Sequence, residues 1–193
     1  MSIIIVFVLI AFISLSNSKT SFMHNLPLGE YRLVYEKLYP CQSSNIMQCN
    51  MYLNKKTLSI NEVLGNVTLL LPLDDTLILD ANMASWDTIG GWKPNSMVYT
   101  TKNACSNWKN VLGNVWTTMT KALNLPNSSC PIPAGTYYIS RGVDVKELED
   151  LNFPKVYFYG KYKLTVKLKN SENKVLGCSV IEMSCIRPWE KQI

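Results

Sequence analysis

All six cysteines of the chain, Cys41, Cys49, Cys105, Cys130, Cys178 and Cys185, lie downstream of an unbroken apolar run from Ile3 to Ile13. Ser16 and Ser18 follow that run at the spacing a signal peptidase reads. Residues 1–18 are therefore expected to be a secretory signal peptide, and residues 19–193 a single secreted domain. The run is too short to cross about 30 Å of hydrocarbon at ~1.5 Å per helical residue. In an oxidising compartment an even number of cysteines reads as a disulfide framework, here three bridges with fifteen pairings open. A zinc site is disfavoured. No pair has Cys-x-x-Cys spacing, and the only histidine, His24, falls near the expected mature start.

Hydrophobic residues make up 47% of the chain and charged residues 17%, which excludes a disordered segment. The net charge of +5 comes from scattered lysines rather than a run, so a nucleic-acid partner is not expected and weak attraction to anionic membranes is. Asn66 (Asn-Val-Thr) and Asn127 (Asn-Ser-Ser) are glycosylation acceptors by sequence.

Segments 30–39, 65–72 and 75–80 are short, rich in Val, Leu and Tyr, and bounded by Gly, Pro and Asp, which predicts strands. Over 160–169, Tyr162, Leu164, Val166 and Leu168 alternate with Lys161, Lys163, Thr165, Lys167 and Lys169. Period-two alternation means one buried face and one wet face. The turn Asn170–Asn173 leads to a last strand over 175–186, so the two should form a hairpin. Between Asn107 and Leu123 the spacing changes: Trp108, Leu112, Val115, Trp116 and Met119 fall on one helical stripe. Ser106 is placed to cap the helix and Pro126 to end it. The fold class is mainly β, a two-sheet antiparallel β-sandwich or β-cup with one amphipathic helix over about 107–123. A bridge between Cys105 and Cys130 would close a loop of about 25 residues, worth roughly 3 kcal/mol in the chain-entropy model, and pin that helix.

Chemistry is scarce. Asp74 and Asp75, and Asp144 with Glu147, Glu149 and Asp150, lack calcium-loop spacing and read as solvated turns. With His24 as the only histidine, and no Gly-x-Ser-x-Gly or phosphate-binding loop, an enzyme is not expected and no cofactor or metal is implied. Two segments carry clustered aromatics: Trp86 and Trp92 around Gly90-Gly91, and Phe153, Val156, Tyr157, Phe158 and Tyr159. The second does not alternate, which favours the rim of a cavity over a strand buried on one face.

From Cys130 onward the residues Cys130-Pro131, Gly135-Thr136-Tyr137, Gly160-x-Tyr162 and Leu176-Gly177-Cys178 resemble, in order and spacing, the C-terminal half of the ganglioside activator and ML-type lipid-recognition family. Gly65 to Leu71 is similar to an early strand of that family. The short opening before Cys41 places the resemblance with divergent secreted, arthropod-type members, some linked to chemosensation. The resemblance implies a β-cup holding an acyl chain, glycolipid, fatty acid or hydrophobic semiochemical between its sheets. The aromatic segments would rim the cavity and make transient membrane contact, and the helix stripe would serve as core or lid. It also implies the bridges Cys41–Cys178 and Cys105–Cys130, leaving Cys49–Cys185 as a pairing outside the family pattern. The expected role is a secreted carrier or activator, with lysosomal delivery as a variant and a protein receptor or lipid-processing enzyme as partner. The alternative is a secreted interaction module with a filled core; a cavity of a few hundred Å³ separates the two.

Overall fold

The computed structural model describes residues 26–41, 46–57 and 60–190; the signal segment and His24 lie outside the described residues. The strands are β1 (Leu28–Glu30), β2 (Arg32–Pro40), β3 (Met47–Lys55), β4 (Asn61–Leu69), β5 (Ile78–Asp87), β6 (Gly91–Thr101), β7 (Gly135–Tyr138), β8 (Val143–Asp144), β9 (Val156–Phe158), β10 (Gly160–Lys169) and β11 (Val175–Ile186). Two helices, α1 (Ala104–Leu112) and α2 (Asn114–Ala122), stand between β6 and β7.

The alternation in β10 dictates a central strand, and the pairing agrees. β10 lies antiparallel between β5 and β11, with Leu164 opposite both Met83 and Ile181. The layer reads β6-β5-β10-β11-β2. Its lysines face outward, where Lys161 pairs with Glu36 and Lys169 with Asp80. The second layer is β3 and β4, with β7 and β8 both pairing on the far side of β4. β11 pairs β2 from Ile186 to Ser179, then meets β3 through the parallel bridge Gly177–Met47. A β-carbon at Gly177 would lie 2.7 Å from the Met47 Cβ, so only glycine permits the layers to close along this edge. A separate ribbon, β1 with β9, covers one end.

The expected hairpin and its final strand are present, with Asn173 at φ 61° in the turn. The single expected helix is not. It breaks at Gly113, which has φ 56° and ψ −124°. The carbonyls released at the end of α1 are taken up by Asn152, whose backbone N–H donates to Val111 O (3.0 Å) and whose Nδ2 donates to Asn110 O (2.8 Å). Nor does Ser106 cap the helix: Asn103 occupies the cap position, and the first-turn N–H and hydroxyl of Ser106 donate to the Asp75 carboxylate at 2.8 and 2.6 Å. These bonds hold the Asp75 carboxyl below its usual range. Gly113→Ala should cost about 1–3 kcal/mol, because the backbone there is left-handed and a β-carbon would sit 3.1 Å from Asn152. Urea unfolding checks this, and a change under about 0.5 kcal/mol would show that the break tolerates a side chain.

Disulfides join Cys41 to Cys178 and Cys105 to Cys130. The expected third bridge, Cys49–Cys185, is absent, and both thiols are free. Cys49 hydrogen-bonds Ser179, and Ser179 stands six residues before Cys185 on β11. Six residues of strand span roughly 20 Å, against about 4.4–6.8 Å between the Cα atoms of a disulfide.

Candidate functional site

The two layers enclose packed clusters at both ends, with an apolar space between them toward the Lys169 end and a smaller one of about 110 Å³, lined by Tyr31, Leu33, Glu149, Leu151, Phe153 and Lys155, near the Gly160 end. At the Gly160 end of β10, Leu33, Met83, Tyr162 and Cys185 form a buried cluster with Tyr31, Tyr35 and Tyr157 packed against it. Toward Lys169 the inward residues shorten: Val166 on β10 lies opposite Ser179, and Leu168 opposite Gly177. Short side chains side by side on one layer leave space beneath the facing layer, and here it is a cavity of about 190 Å³.

One wall is Val166, Leu168, Ser179 and Ile181, with Leu38 of β2 beside them. The facing wall is Met47, Cys49 and Met51 of β3 with Val67 and Leu69 of β4. Trp108 and Leu112 of α1, and Trp116 and Met119 of α2, close it from the side of the helices. Leu73, paired with Ile132 by two backbone hydrogen bonds of 2.9 Å, completes the lining near the Cys105–Cys130 bridge. None of the 23 lining residues is charged. The polar groups of the wall are largely committed: Trp116 Nε1 donates to Ser128 O (2.8 Å), Tyr137 OH to Pro133 O (2.9 Å) and Thr120 Oγ1 to Thr117 O (3.2 Å). Burial pushes the Cys49 thiol up, and pushes that of Cys185 to about 12, so both stay protonated and weakly nucleophilic at neutral pH.

The helix stripe thus divides. Trp108, Leu112, Trp116 and Met119 line the cavity, whereas Val115 is core, buried with Val63, Ile139, Val143 and Leu148. The seven aromatic-segment candidates do not line it. Trp86 and Trp92 face each other across the β5–β6 hairpin, ring centroids 5.1 Å apart, with Lys163 Nζ 4.4 Å over Trp92. Phe153 and Tyr157 meet edge to face, and Tyr157 stacks in the same manner on Tyr162, closing the Gly160 end. Val156 and Phe158 are exposed on β9. Tyr159 OH donates to Glu30 O (2.9 Å) under the Arg187 guanidinium. Trp86, Trp92 and residues 156–159 gather at the Gly160 end of β10, whereas Phe153 follows Asn152, which bonds the end of α1. The carboxylates serve local structure: Asp74 accepts from Thr76, Asp144 from the Lys146 N–H, and Asp150 from Asn114. Among the described residues no group of three His, Cys, Asp or Glu is placed to hold a metal ion.

Met47, Met51, Val67 and Ile181 are lining residues that the sequence reading passed over. The alternation Met47, Cys49, Met51, Leu53 against Gln48, Asn50, Tyr52, Asn54 carried the signal for the first two.

A model of the ML domain family matches residues 87–185, from the end of β5 through both helices to the end of β11, which is 99 of 193 residues. The chain belongs to the ML domain family. Its members are lipid-recognition domains without a catalytic role, and the cavity of this ML domain has the uncharged lining that such recognition needs. The ML match covers both disulfide partners of the helical segment, Cys105 and Cys130. No curated protein matches the chain in sequence.

Proposed function

We propose that this ML domain is a secreted carrier that holds one small apolar molecule in the cavity beneath α1 and α2. The observation that carries this reading is the cavity itself: about 190 Å³ of space between two layers, with no charged residue in its lining. Packed interiors leave few voids larger than a water molecule. An engineered cavity of about 150 Å³ is enough to bind benzene. The volume falls below the roughly 300–1,000 Å³ of drug-sized pockets, so a single short chain or compact ring suits it and a multi-chain glycolipid does not. A ligand burying roughly 300 Å² of apolar surface would gain about 7 kcal/mol before the cost of immobilising it, so weak binding is expected. The space is smaller than the few hundred Å³ that would by itself separate a carrier from an interaction module, so the uncharged lining is what favours the carrier.

Secretion is supported by the apolar leader and the two disulfides. Asn127 is exposed and suits glycosylation; Asn66 is half-buried on β4, with its side-chain oxygen 3.4 Å from Asn50 Nδ2. Transient membrane contact is assigned to the aromatic end, where Ile89 is 97% exposed and Trp86, Val156 and Phe158 are about half exposed, with Lys163 and Arg187 among them. Native mass spectrometry of the secreted protein, incubated with a neutral lipid extract, should retain one apolar molecule per chain. A protein that retains none at any ligand concentration would defeat the carrier reading.

A further inference from the structure

A cavity built this way constrains the head group of its ligand as well as its size. Every lysine of β10 lies on the outer face of its sheet, and Lys161 and Lys169 are engaged there by Glu36 and Asp80. Strand geometry prevents them from turning inward without reversing the whole strand. Among the described residues no cation lines the cavity. An anion entering it would lose its water and gain no countercharge, a loss that such groups normally avoid by taking up a proton.

The lining does contain a few polar groups, and among them Ser179 lies on the central wall. Ser179 projects from the β10–β11 wall and bonds the Cys49 thiol across the gap to β3. A hydroxyl has one donor and two acceptor positions, and Cys49 uses one of the three. Gln48 of β3 also lines the cavity, although its side chain alternates with those of Met47 and Cys49 along the strand. Trp116, Tyr137 and Thr120 already spend their donors on the backbone carbonyls of Ser128, Pro133 and Thr117.

We propose that the cavity selects uncharged molecules of about eight carbons carrying one hydroxyl or carbonyl group, which hydrogen-bonds Ser179, and that it rejects the anions of acids with the same chain. The inference rests on the cavity being the ligand site.

The test uses the full secreted protein with N-phenyl-1-naphthylamine as an uncharged fluorescent reporter, displaced by 1-octanol, octanoate or n-octane. At pH 7.5, 1-octanol should displace the reporter with at least about thirtyfold higher affinity than octanoate. A free carboxyl titrates near about 4.3, and a site that favours the neutral acid raises that value in the bound state. Octanoate affinity should therefore rise at least about tenfold between pH 7.5 and pH 4, while that of 1-octanol stays level. Equal affinity of octanoate and octanol at pH 7.5 would overturn the selectivity and show that a cation reaches the ligand. Reporter binding that none of the three ligands displaces would overturn the size assignment. Absence of reporter binding together with no heat of binding for 1-octanol or n-octane in titration calorimetry would overturn the cavity as a ligand site altogether. In Ser179→Ala, octanol affinity should drop about fivefold with n-octane unchanged. An equal drop for both, or for neither, would remove Ser179 as the anchoring group.

Discussion

Replacing Cys41 and Cys178 together by serine is expected to lower the unfolding free energy by about 5 kcal/mol, the largest single loss anticipated for this protein. The two residues are 137 positions apart. The chain-entropy model puts the stabilisation of a loop of that length at roughly 5 kcal/mol, against about 3 kcal/mol for the 25-residue loop closed by Cys105 and Cys130. Location adds to length. Cys41 follows the last residue of β2, and its N–H donates to Cys178 O at 3.1 Å. Cys178 adjoins Gly177, where β11 passes from β2 to β3 and the two layers join. Cutting the bridge would thus loosen the seam that keeps the cavity closed. Against a typical domain stability of about 5–15 kcal/mol, such a loss would leave the variant partly unfolded at 37 °C. Tryptophan fluorescence during urea unfolding, with and without reductant, measures it. A loss below about 1 kcal/mol would mean that the seam is held by the strand pairing alone.

What could be read from residues alone follows from the range of the forces involved. The β10–β11 hairpin was legible because Tyr162, Leu164, Val166 and Leu168 against four lysines is a local pattern with a single physical meaning. The order of motifs from Cys130 onward carried the family, and with it the two bridges that formed. The helix break was partly visible, since Gly113 stands within the stripe; what stabilises it, Asn152, lies 39 residues on and has no local signature. β3 is hard to recognise although its alternation is regular, because Met47, Cys49 and Met51 are not the β-branched residues that mark most strands. The same weak marking hides why Cys49 does not pair with Cys185: an alternating apolar row places Cys49 inside, on the cavity wall, at a distance set by the register of β3 on β11. The cavity was the least legible feature. It depends on short residues of one layer, Val166, Ser179 and Gly177, coming side by side on neighbouring strands, with Val67 lining the same space from the other layer. The aromatic segments attracted attention by composition, and they mark the Gly160 end instead.

Val166→Trp is expected to weaken retention of an apolar ligand at least about thirtyfold while leaving stability within about 1 kcal/mol of the parent. Val166 sits on a central strand with its inward face on the cavity, and it is only half-buried although neighbours flank it on both sides. An indole there would occupy space that no side chain now uses, so the burial gained offsets the rotamer restriction imposed. The control is Val63→Phe, a smaller enlargement at a residue 2% exposed in the solid cluster behind α2. Adding bulk to a filled core forces neighbours off their rotamers and costs about 1–3 kcal/mol or more. The contrast separates hollow from filled with two measurements on each variant: a urea midpoint and reporter affinity. If Val166→Trp destabilises as much as Val63→Phe, no usable room exists between the layers. If it keeps full affinity, the ligand is held elsewhere on the molecule, and the exposed aromatic end becomes the next surface to probe. Intermediate loss with Val166→Phe would grade the response by side-chain volume, as expected when ligand and side chain compete for the same space.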